Sequence, residues 1–133
     1  MKNNIEIIKK LMKEYDNTFY FYDEEIISNQ INRLINNFPE FEFLYSIKTN
    51  PFDPIVNFVA SKGLGADAAS AEEVIIGHKA DIPYEKILYS TPGKRKKDIE
   101  KTIDKAIIIA DSYNELLLIN DVARNKNKNI KVG

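Results

Sequence analysis

Lys48 and Asp67 are the charged side chains that the sequence places best for chemistry. Alternation along the strand-like run 41–48 puts Lys48 on the face opposite the large apolar side chains, and alternation along 64–69 does the same for Asp67. If the apolar faces lie under helices, both charged groups point into one interior from adjacent strands, about 4.8 Å apart. The alternation therefore predicts that Asp67 lies within side-chain reach of Lys48.

A helix-start signal follows Asp67 directly. Ser70 and Glu73 have the Ser-x-x-Glu spacing of a capping box, in which the serine hydroxyl accepts a hydrogen bond from the amide of the glutamate and the glutamate carboxylate accepts one from the amide of the serine. Ser112 and Glu115 repeat this spacing further along the chain. The sequence leaves two roles open for Glu73, a cap alone or a contact near Lys48.

Composition excludes several classes of site and partner. The 133 residues carry a net charge of -1 and contain no cysteine, which excludes disulfides, thiolate metal sites and thiol nucleophiles. Nucleic acids and anionic membranes need a large basic face, and none is predicted. The single histidine, His78, has no partners at metal-ligand spacing, so no metal is predicted. No run approaches the roughly 20 apolar residues of a membrane helix, and the composition fits a cytoplasmic protein.

Helical and strand-like patterns alternate along the chain. An amphipathic helix over 5–15 precedes the β-prone run 18–22, and Asp23 is the predicted N-cap of a helix that stops at Pro39. Strand-like runs then begin about 22 residues apart, near residues 43, 65, 87, 106 and 130. Helical patterns fill the gaps between them. Strands alternating with helices in this way predict right-handed crossovers and a parallel sheet.

Local signals place the boundaries of two of these helices. Asp53 is the predicted N-cap of a helix with Pro54 at its first position and Gly63 just beyond its end. The basic run 94–97 introduces a helix predicted over 95–105, and its four cations are interpreted as a solvated charged face.

Two architectures accept this pattern. One is a doubly wound five-stranded parallel sheet with helices on both faces. The other is the N-terminal half of a (β/α)₈ barrel, a fold that takes about 250 residues to close. A doubly wound sheet needs apolar side chains on both faces of its central strands, whereas a barrel tolerates polar groups at its inner carboxyl rim. The inward positions of Lys48 and Asp67 favour the half-barrel.

Four ordered motifs resemble those of the pyridoxal-phosphate-dependent amino-acid decarboxylases with an alanine-racemase-like fold, the group of diaminopimelate, ornithine, lysine and arginine decarboxylases. They are Tyr45-Ser46-Ile47-Lys48-Thr49-Asn50, Asp67-Ala68-Ala69-Ser70-Ala71-Glu72-Glu73, Pro92-Gly93-Lys94, and Asp111-Ser112 with Glu115-Leu116. The segment 18–23 is similar to the strand that joins the C-terminal β domain in that group. Thr49 departs from the alanine most common at its position.

This resemblance implies a cofactor, a reaction and a set of site residues. The cofactor is pyridoxal 5'-phosphate, bound through a Schiff base to Lys48, with Asp67, Ser70 and Glu73 as further cofactor-binding residues. The reaction is decarboxylation of a basic or diamino acid, of the ornithine/lysine or diaminopimelate class, and the parent protein is expected to be a homodimer. A non-catalytic pyridoxal-binding protein or a self-contained doubly wound binding module is the alternative.

The resemblance also implies how the chain is organised. Residues 1–23 form an N-terminal helix and a strand that would pack on a C-terminal β domain, and residues 24–133 form the first half of the cofactor-binding barrel. The remaining strands, the glycine-rich phosphate loop and the β domain are absent from this sequence. The 133 residues alone are accordingly expected to be inactive and to self-associate through an open sheet edge.

Overall fold

The computed structural model describes residues 2–15 and 18–133, and it begins with two helices. Helix α1 spans Lys2–Glu14 and helix α2 spans Glu24–Asn37. As predicted, Asp23 caps α2, because its carboxylate accepts hydrogen bonds from the amides of Glu25 at 2.9 Å and Ile26 at 3.2 Å. No strand is assigned to residues 18–23, so the β-prone pattern there does not form a strand with the described residues.

Four parallel strands and four helices follow in strict alternation. The strands are β1 (Leu44–Ser46), β2 (Gly65–Ala68), β3 (Ile87–Tyr89) and β4 (Ile107–Ile108). The helices that follow them are α3 (Asp53–Ser61), α4 (Ala71–Lys79), α5 (Lys96–Thr102) and α6 (Tyr113–Asn125). Every pairing is parallel and the strands lie in the order β1-β2-β3-β4.

This order separates the two predicted architectures. A doubly wound sheet reverses its strand order at one point, so that its helices cover both faces. Here the order of the described strands does not reverse, and right-handed crossovers between neighbours place the helices on one face. The half-barrel prediction is confirmed, and the doubly wound alternative is wrong.

The core lies between the helix-facing side of the sheet and the helices. Ala66 and Ala68 of β2 are fully buried, as is Val74 of α4. Gly77 of α4 also approaches the sheet closely, since a Cβ there would lie 3.4 Å from the Cβ of Ala66. Tyr45 of β1 packs against this core, as the alternation predicts, whereas Leu44 and Ser46 pair in register with Gly65 and Asp67 of the opposite face.

Several boundaries differ from those predicted. The run 41–48 forms a strand only at 44–46, because Ile47–Thr49 turn into a 3₁₀ helix. The predicted fifth strand contributes one bridge, between Ile108 and Val132. Helix α5 is shorter than the predicted 95–105.

The start of α3 is displaced by one residue from the prediction. Phe52 is the N-cap and Asp53 is the first helical residue, so the prediction that Asp53 caps this helix is wrong. Pro54 lies in the first turn, where its missing amide costs no hydrogen bond. Gly63 follows the C-cap with φ of +85°, the left-handed conformation predicted for it.

In the described ranges, every helix is too short or too polar to cross a membrane.

Candidate active site

Lys48 lies in the 3₁₀ turn that follows β1, at the carboxyl end of the sheet. Ile47, the residue before it, is fully buried, whereas Lys48 itself is exposed. The turn is closed by a hydrogen bond from the amide of Asn50 to the carbonyl of Ile47 at 3.0 Å, and by one from the hydroxyl of Thr49 to the carbonyl of Ser46 at 2.7 Å. The backbone of Lys48 is therefore fixed while its amine reaches solvent.

Two tyrosines hold Asn50, the residue that ends this turn. The hydroxyl of Tyr45 donates to the carbonyl oxygen of Asn50 at 3.0 Å, and the side-chain amide of Asn50 donates to the hydroxyl of Tyr22 at 2.9 Å. The Oδ1 of Asn50 accepts from the amide of Phe52 at 3.1 Å. The ring of Tyr45 packs against the core, as the alternation predicts. Tyr45 and Asn50 of the Tyr-x-x-Lys-x-Asn motif thus hold the turn that carries Lys48.

Asp67 lies on the face of the sheet away from the helices, as predicted. Its Oδ1 accepts a hydrogen bond from the hydroxyl of Ser90 at 2.6 Å, and its Oδ2 accepts one from the hydroxyl of Ser46 at 3.2 Å. No ion pair within 4.0 Å joins Asp67 to Lys48 within the described ranges 2–15 and 18–133. Asp67 therefore links the carboxyl ends of β1, β2 and β3 through two serine hydroxyls.

Ser70 and Glu73 form the predicted cap of α4. The hydroxyl of Ser70 accepts from the amide of Glu73 at 3.2 Å. The carboxylate of Glu73 accepts from the amide of Ala69 at 2.9 Å and from the hydroxyl of Ser70 at 3.3 Å. Both oxygens of Glu73 thus hold the β2–α4 turn, which places this turn beside Asp67.

The same cap recurs at α6, with one addition that the sequence did not reveal. Ser112 accepts from the amide of Glu115, and the Oε2 of Glu115 accepts from the amide of Asp111 at 2.9 Å. Glu115 also forms a 3.0 Å ion pair with Lys94, and the two side chains are only 6% and 0% exposed. The prediction that Lys94 belongs to a solvated charged face is wrong.

The backbone before Lys94 explains why the basic run 94–97 does not form a uniformly solvated face. Lys94 follows Gly93, whose φ of +73° turns the chain, so that the first cation of the run points inward while Arg95, Lys96 and Lys97 stay exposed. The available signal was the second Ser-x-x-Glu cap, because a carboxylate at the start of α6 offers a partner to a cation from the preceding loop.

Charge and burial shift two pKa values around this pair. Burial alone would raise the pKa of Glu115, but hydrogen bonds from the amides of Asp111 and Lys94 and from the Lys94 ammonium outweigh it, so the pKa lies below its ordinary value. Burial raises the pKa of Tyr89, and the negative charges of Asp98 and Glu115 raise it further.

The residues at the carboxyl end of the sheet fit the cofactor that the motifs imply. A carbonyl cofactor bound as a Schiff base needs a lysine amine that is open to it. The amine of Lys48 forms neither an ion pair nor a side-chain hydrogen bond with the residues that the structure describes, and it is exposed at the same sheet end as Asp67. Lys94, in contrast, is buried and its ammonium is fully engaged.

Comparisons with known proteins agree with this arrangement. The family described as "Pyridoxal-dependent decarboxylase, pyridoxal binding domain" matches residues 24–133. The chain is 32% identical to L-glutamyl-(BtrI acyl-carrier protein) decarboxylase of Niallia circulans and 29% identical to diaminopimelate decarboxylase of Aquifex aeolicus, in each case covering 94% of this chain and 30% of the relative.

A solved structure shows the same fold. Diaminopimelate decarboxylase of M. jannaschii, in a co-complex with L-lysine, superposes with a TM-score of 0.81 at 28% identity, over 93% of this chain and 31% of that one. The chain spans about a third of the length of the relatives it matches. With four motifs in order, a matching sheet and a match over residues 24–133, the chain belongs to the pyridoxal-dependent decarboxylase family.

Proposed function

We propose that the protein, at its full natural length, is a pyridoxal-phosphate-dependent decarboxylase of a basic or diamino acid, with Lys48 as the residue that holds the cofactor. The observation that carries this proposal is the geometry of Lys48. Its backbone is anchored by the fully buried Ile47 and its amine is exposed and unengaged at the carboxyl end of β1. Active sites of (β/α)₈ enzymes lie at this end of the strands.

The other predicted site residues would act from β2 and from the turn that follows it. Asp67, fixed by Ser46 and Ser90, presents a carboxylate at the same end of the sheet as Lys48 and would orient its amine. Ser70 and Glu73 shape the β2–α4 turn at the edge of the site. When bound, pyridoxal phosphate supplies an electron sink for the bond that breaks on loss of carbon dioxide. The exposed amine of Lys48 would return a proton to the product.

We propose the substrate class from the names of the related enzymes. Aquifex aeolicus diaminopimelate decarboxylase and the L-lysine complex of the M. jannaschii enzyme support a diamino acid. The Niallia circulans relative bears a name that specifies a glutamyl group on a carrier protein, which makes that class the competing substrate. Product analysis with diaminopimelate, ornithine, lysine and a glutamyl thioester distinguishes these substrates.

The proposed organisation follows the family resemblance. Residues 1–23 would carry the chain to a β domain, and residues 24–133 would form the first half of the barrel. The hydrogen bond from Asn50 to Tyr22 supports a place for the segment 18–23 beside the site. We also propose a homodimer in the cytoplasm. Sedimentation of the full-length protein tests the dimer.

Borohydride reduction tests the role of Lys48. Reduction of the full-length protein in the presence of pyridoxal phosphate, followed by peptide mapping, is expected to label Lys48. Lys48→Ala is expected to abolish labelling and carbon dioxide release while leaving the melting temperature nearly unchanged, since an exposed lysine contributes little packing. Lys97→Ala, which removes another exposed lysine, is the matched control and is expected to retain both. Labelling at another residue in the folded protein contradicts the assignment, and labelling without carbon dioxide release from any of the substrates above supports the non-catalytic alternative.

A further inference from the structure

Lys94 has a hydrogen-bond arrangement that leaves none of its ammonium protons free. The Nζ atom donates to the carbonyl oxygen of Thr91 at 2.5 Å, to that of Ile109 at 2.7 Å and to the Oε2 of Glu115 at 3.0 Å. A lysine ammonium has three donors, so these three acceptors saturate it. The Nζ atom also lies 5.2 Å from the centroid of the Tyr89 ring.

This arrangement joins the loop after β3 to the next β–α unit. Thr91 belongs to that loop, whereas Ile109 directly follows β4 and Glu115 lies in the first turn of α6. The backbone amide of Lys94 also donates to the Oε1 of Glu115 at 2.9 Å, so both ends of Lys94 contact one carboxylate. The β3–α5 loop is thereby held against the next β–α unit of the barrel.

Stability alone is a weak reason to bury such a pair. Desolvation of the two charges offsets much of their attraction, and well-packed apolar side chains at such positions are often as stable. A buried ion pair does specify one geometry, because its donors and acceptors are satisfied in a single arrangement only. The role of Lys94 therefore depends on which side chains the β3–α5 loop holds in place.

The fixed loop positions Asp67. Thr91, whose carbonyl oxygen accepts from Lys94, directly follows Ser90, and the hydroxyl of Ser90 donates to the Oδ1 of Asp67 at 2.6 Å. The path from Lys94 through the loop to Asp67 thus consists of one hydrogen bond, one peptide linkage and a second hydrogen bond. It ends on the carboxylate that lies at the same end of the sheet as Lys48.

We propose that Lys94 is a positioning residue for the cofactor site, which acts through Thr91 and Ser90 to hold Asp67 in place. The proposal rests on the proposed function, because the site it positions is the one at Lys48. It predicts that removal of the Lys94 ammonium and removal of the Ser90 hydroxyl impair the site in the same way.

The experiment measures, in the full-length protein, the concentration of pyridoxal phosphate that gives half-maximal borohydride labelling of Lys48, and separately the melting temperature. Ser90→Ala and Lys94→Met are each expected to raise that concentration about 3- to 10-fold, the effect of one lost hydrogen bond. The double variant is expected to show no more than the larger single effect, since both changes interrupt one path. Ser90→Thr, which keeps the hydroxyl, is expected to restore wild-type labelling.

Lys96→Met is the matched control, because it removes an exposed cation two residues away that pairs with Asp121. It is expected to leave half-labelling unchanged. A lower melting temperature in Lys94→Met with wild-type half-labelling overturns the proposal, as does full additivity in the double variant. If Lys94→Met does not fold, Lys94→Gln, which keeps an N–H donor, takes its place in the same comparison. Unchanged half-labelling in Ser90→Ala overturns the proposal in either case. No labelling of Lys48 in the unsubstituted protein rejects the proposed function itself, and this inference with it.

Discussion

Asn50 contributes more to the surroundings of Lys48 than its short polar side chain suggests. It ends the 3₁₀ turn, accepts from Tyr45 through its backbone and donates to Tyr22 through its side chain. The sequence motif contains both Tyr45 and Asn50, but it does not include Tyr22, which lies 28 residues before Asn50 in the chain. Such a contact depends on how the segment 18–23 packs, and no local pattern encodes that.

Substitution of Tyr22 tests this contact. Tyr22→Phe removes the hydroxyl that Asn50 reaches but keeps the ring, which stacks on Phe52 at a centroid distance of 5.9 Å. We expect a loss of about 0.5–1 kcal/mol in the free energy of unfolding and faster amide exchange at residues 47–50. Tyr20→Phe, at a ring that is 88% exposed, is the control and should change neither quantity. Equal exchange rates in the two variants would show that Tyr22 does not hold the turn.

Glu73 offers a second test at the residue scale, because its two open roles predict different results. Glu73→Gln keeps an oxygen for the amide of Ala69 but removes a negative charge from the first turn of α4. For a cap alone, we expect a loss of about 0.3–1 kcal/mol in stability and normal labelling of Lys48 by pyridoxal phosphate. Weaker labelling at unchanged stability would instead assign Glu73 a contact with the cofactor.

At the scale of elements, two glycines lie where neighbouring elements approach closely. A Cβ on Gly65 would overlap the side chain of Leu44 and the carbonyl of Lys86, whereas a Cβ on Gly77 would make ordinary contacts at 3.4 Å. We expect Gly65→Ala to lower the free energy of unfolding by about 1–3 kcal/mol through overpacking. Gly77→Ala, the matched substitution inside α4, should be neutral or stabilising, since alanine is the better helix former. Urea unfolding of both variants measures the difference. A loss for Gly65→Ala no larger than that for Gly77→Ala would contradict the close approach of Leu44 and Lys86 to Gly65.

The Lys94–Glu115 ion pair between the β3–α5 loop and α6 predicts that the free energy of unfolding depends on pH. Because the folded pKa of Glu115 lies below its unfolded value, Glu115 contributes stability above the unfolded pKa, and this contribution disappears as pH falls through the folded pKa. Glu115→Gln should cost about 3 kcal/mol at neutral pH, since it leaves buried Lys94 unpaired. The cost should shrink toward acid pH, where the wild-type carboxylate is protonated as well.

Urea unfolding at a series of pH values gives this comparison. Glu72→Gln, at an exposed carboxylate 3.7 Å from Lys101, is the control and should follow the wild-type curve. A Glu115→Gln curve parallel to that of the wild type at every pH would contradict the linkage.

Periodicity predicted the elements better than it predicted their ends. The strand starts and the caps at Asp23, Ser70 and Ser112 depend on neighbours within four residues, so the sequence contains them. The 3₁₀ turn at Ile47–Thr49 was missed because burial of Ile47 outweighs the alternation that would extend β1. The burial of Lys94 was missed because it depends on tertiary structure. The backbone turn at Gly93 directs Lys94 inward, and its partner Glu115 lies on the next β–α unit.

At the scale of the whole molecule, the sheet leaves one edge without a neighbour in the described chain. β1 pairs only with β2, and Leu44 on this strand is 36% exposed. We expect the 133 residues expressed alone to self-associate through this edge, which offers unpaired amides and carbonyls. Light scattering over a concentration series should show a mass that rises with concentration, and Leu44→Lys should reduce this association. A monomeric, cooperatively folded and cofactor-labelled 133-residue chain would contradict the expectation.

The contrast between the fixed backbone and the free tip of Lys48 has an entropic consequence. Ile47 and the turn bonds have already restricted the backbone, but the side chain, exposed and without a described partner, keeps its rotamer freedom. Confining a lysine side chain costs about 1.5–2 kcal/mol at 25 °C. A molecule that binds this amine must offset that loss, and one that releases the amine regains it. A group that binds Lys48 is therefore held more weakly, by this amount, than it would be by a lysine side chain already fixed in place.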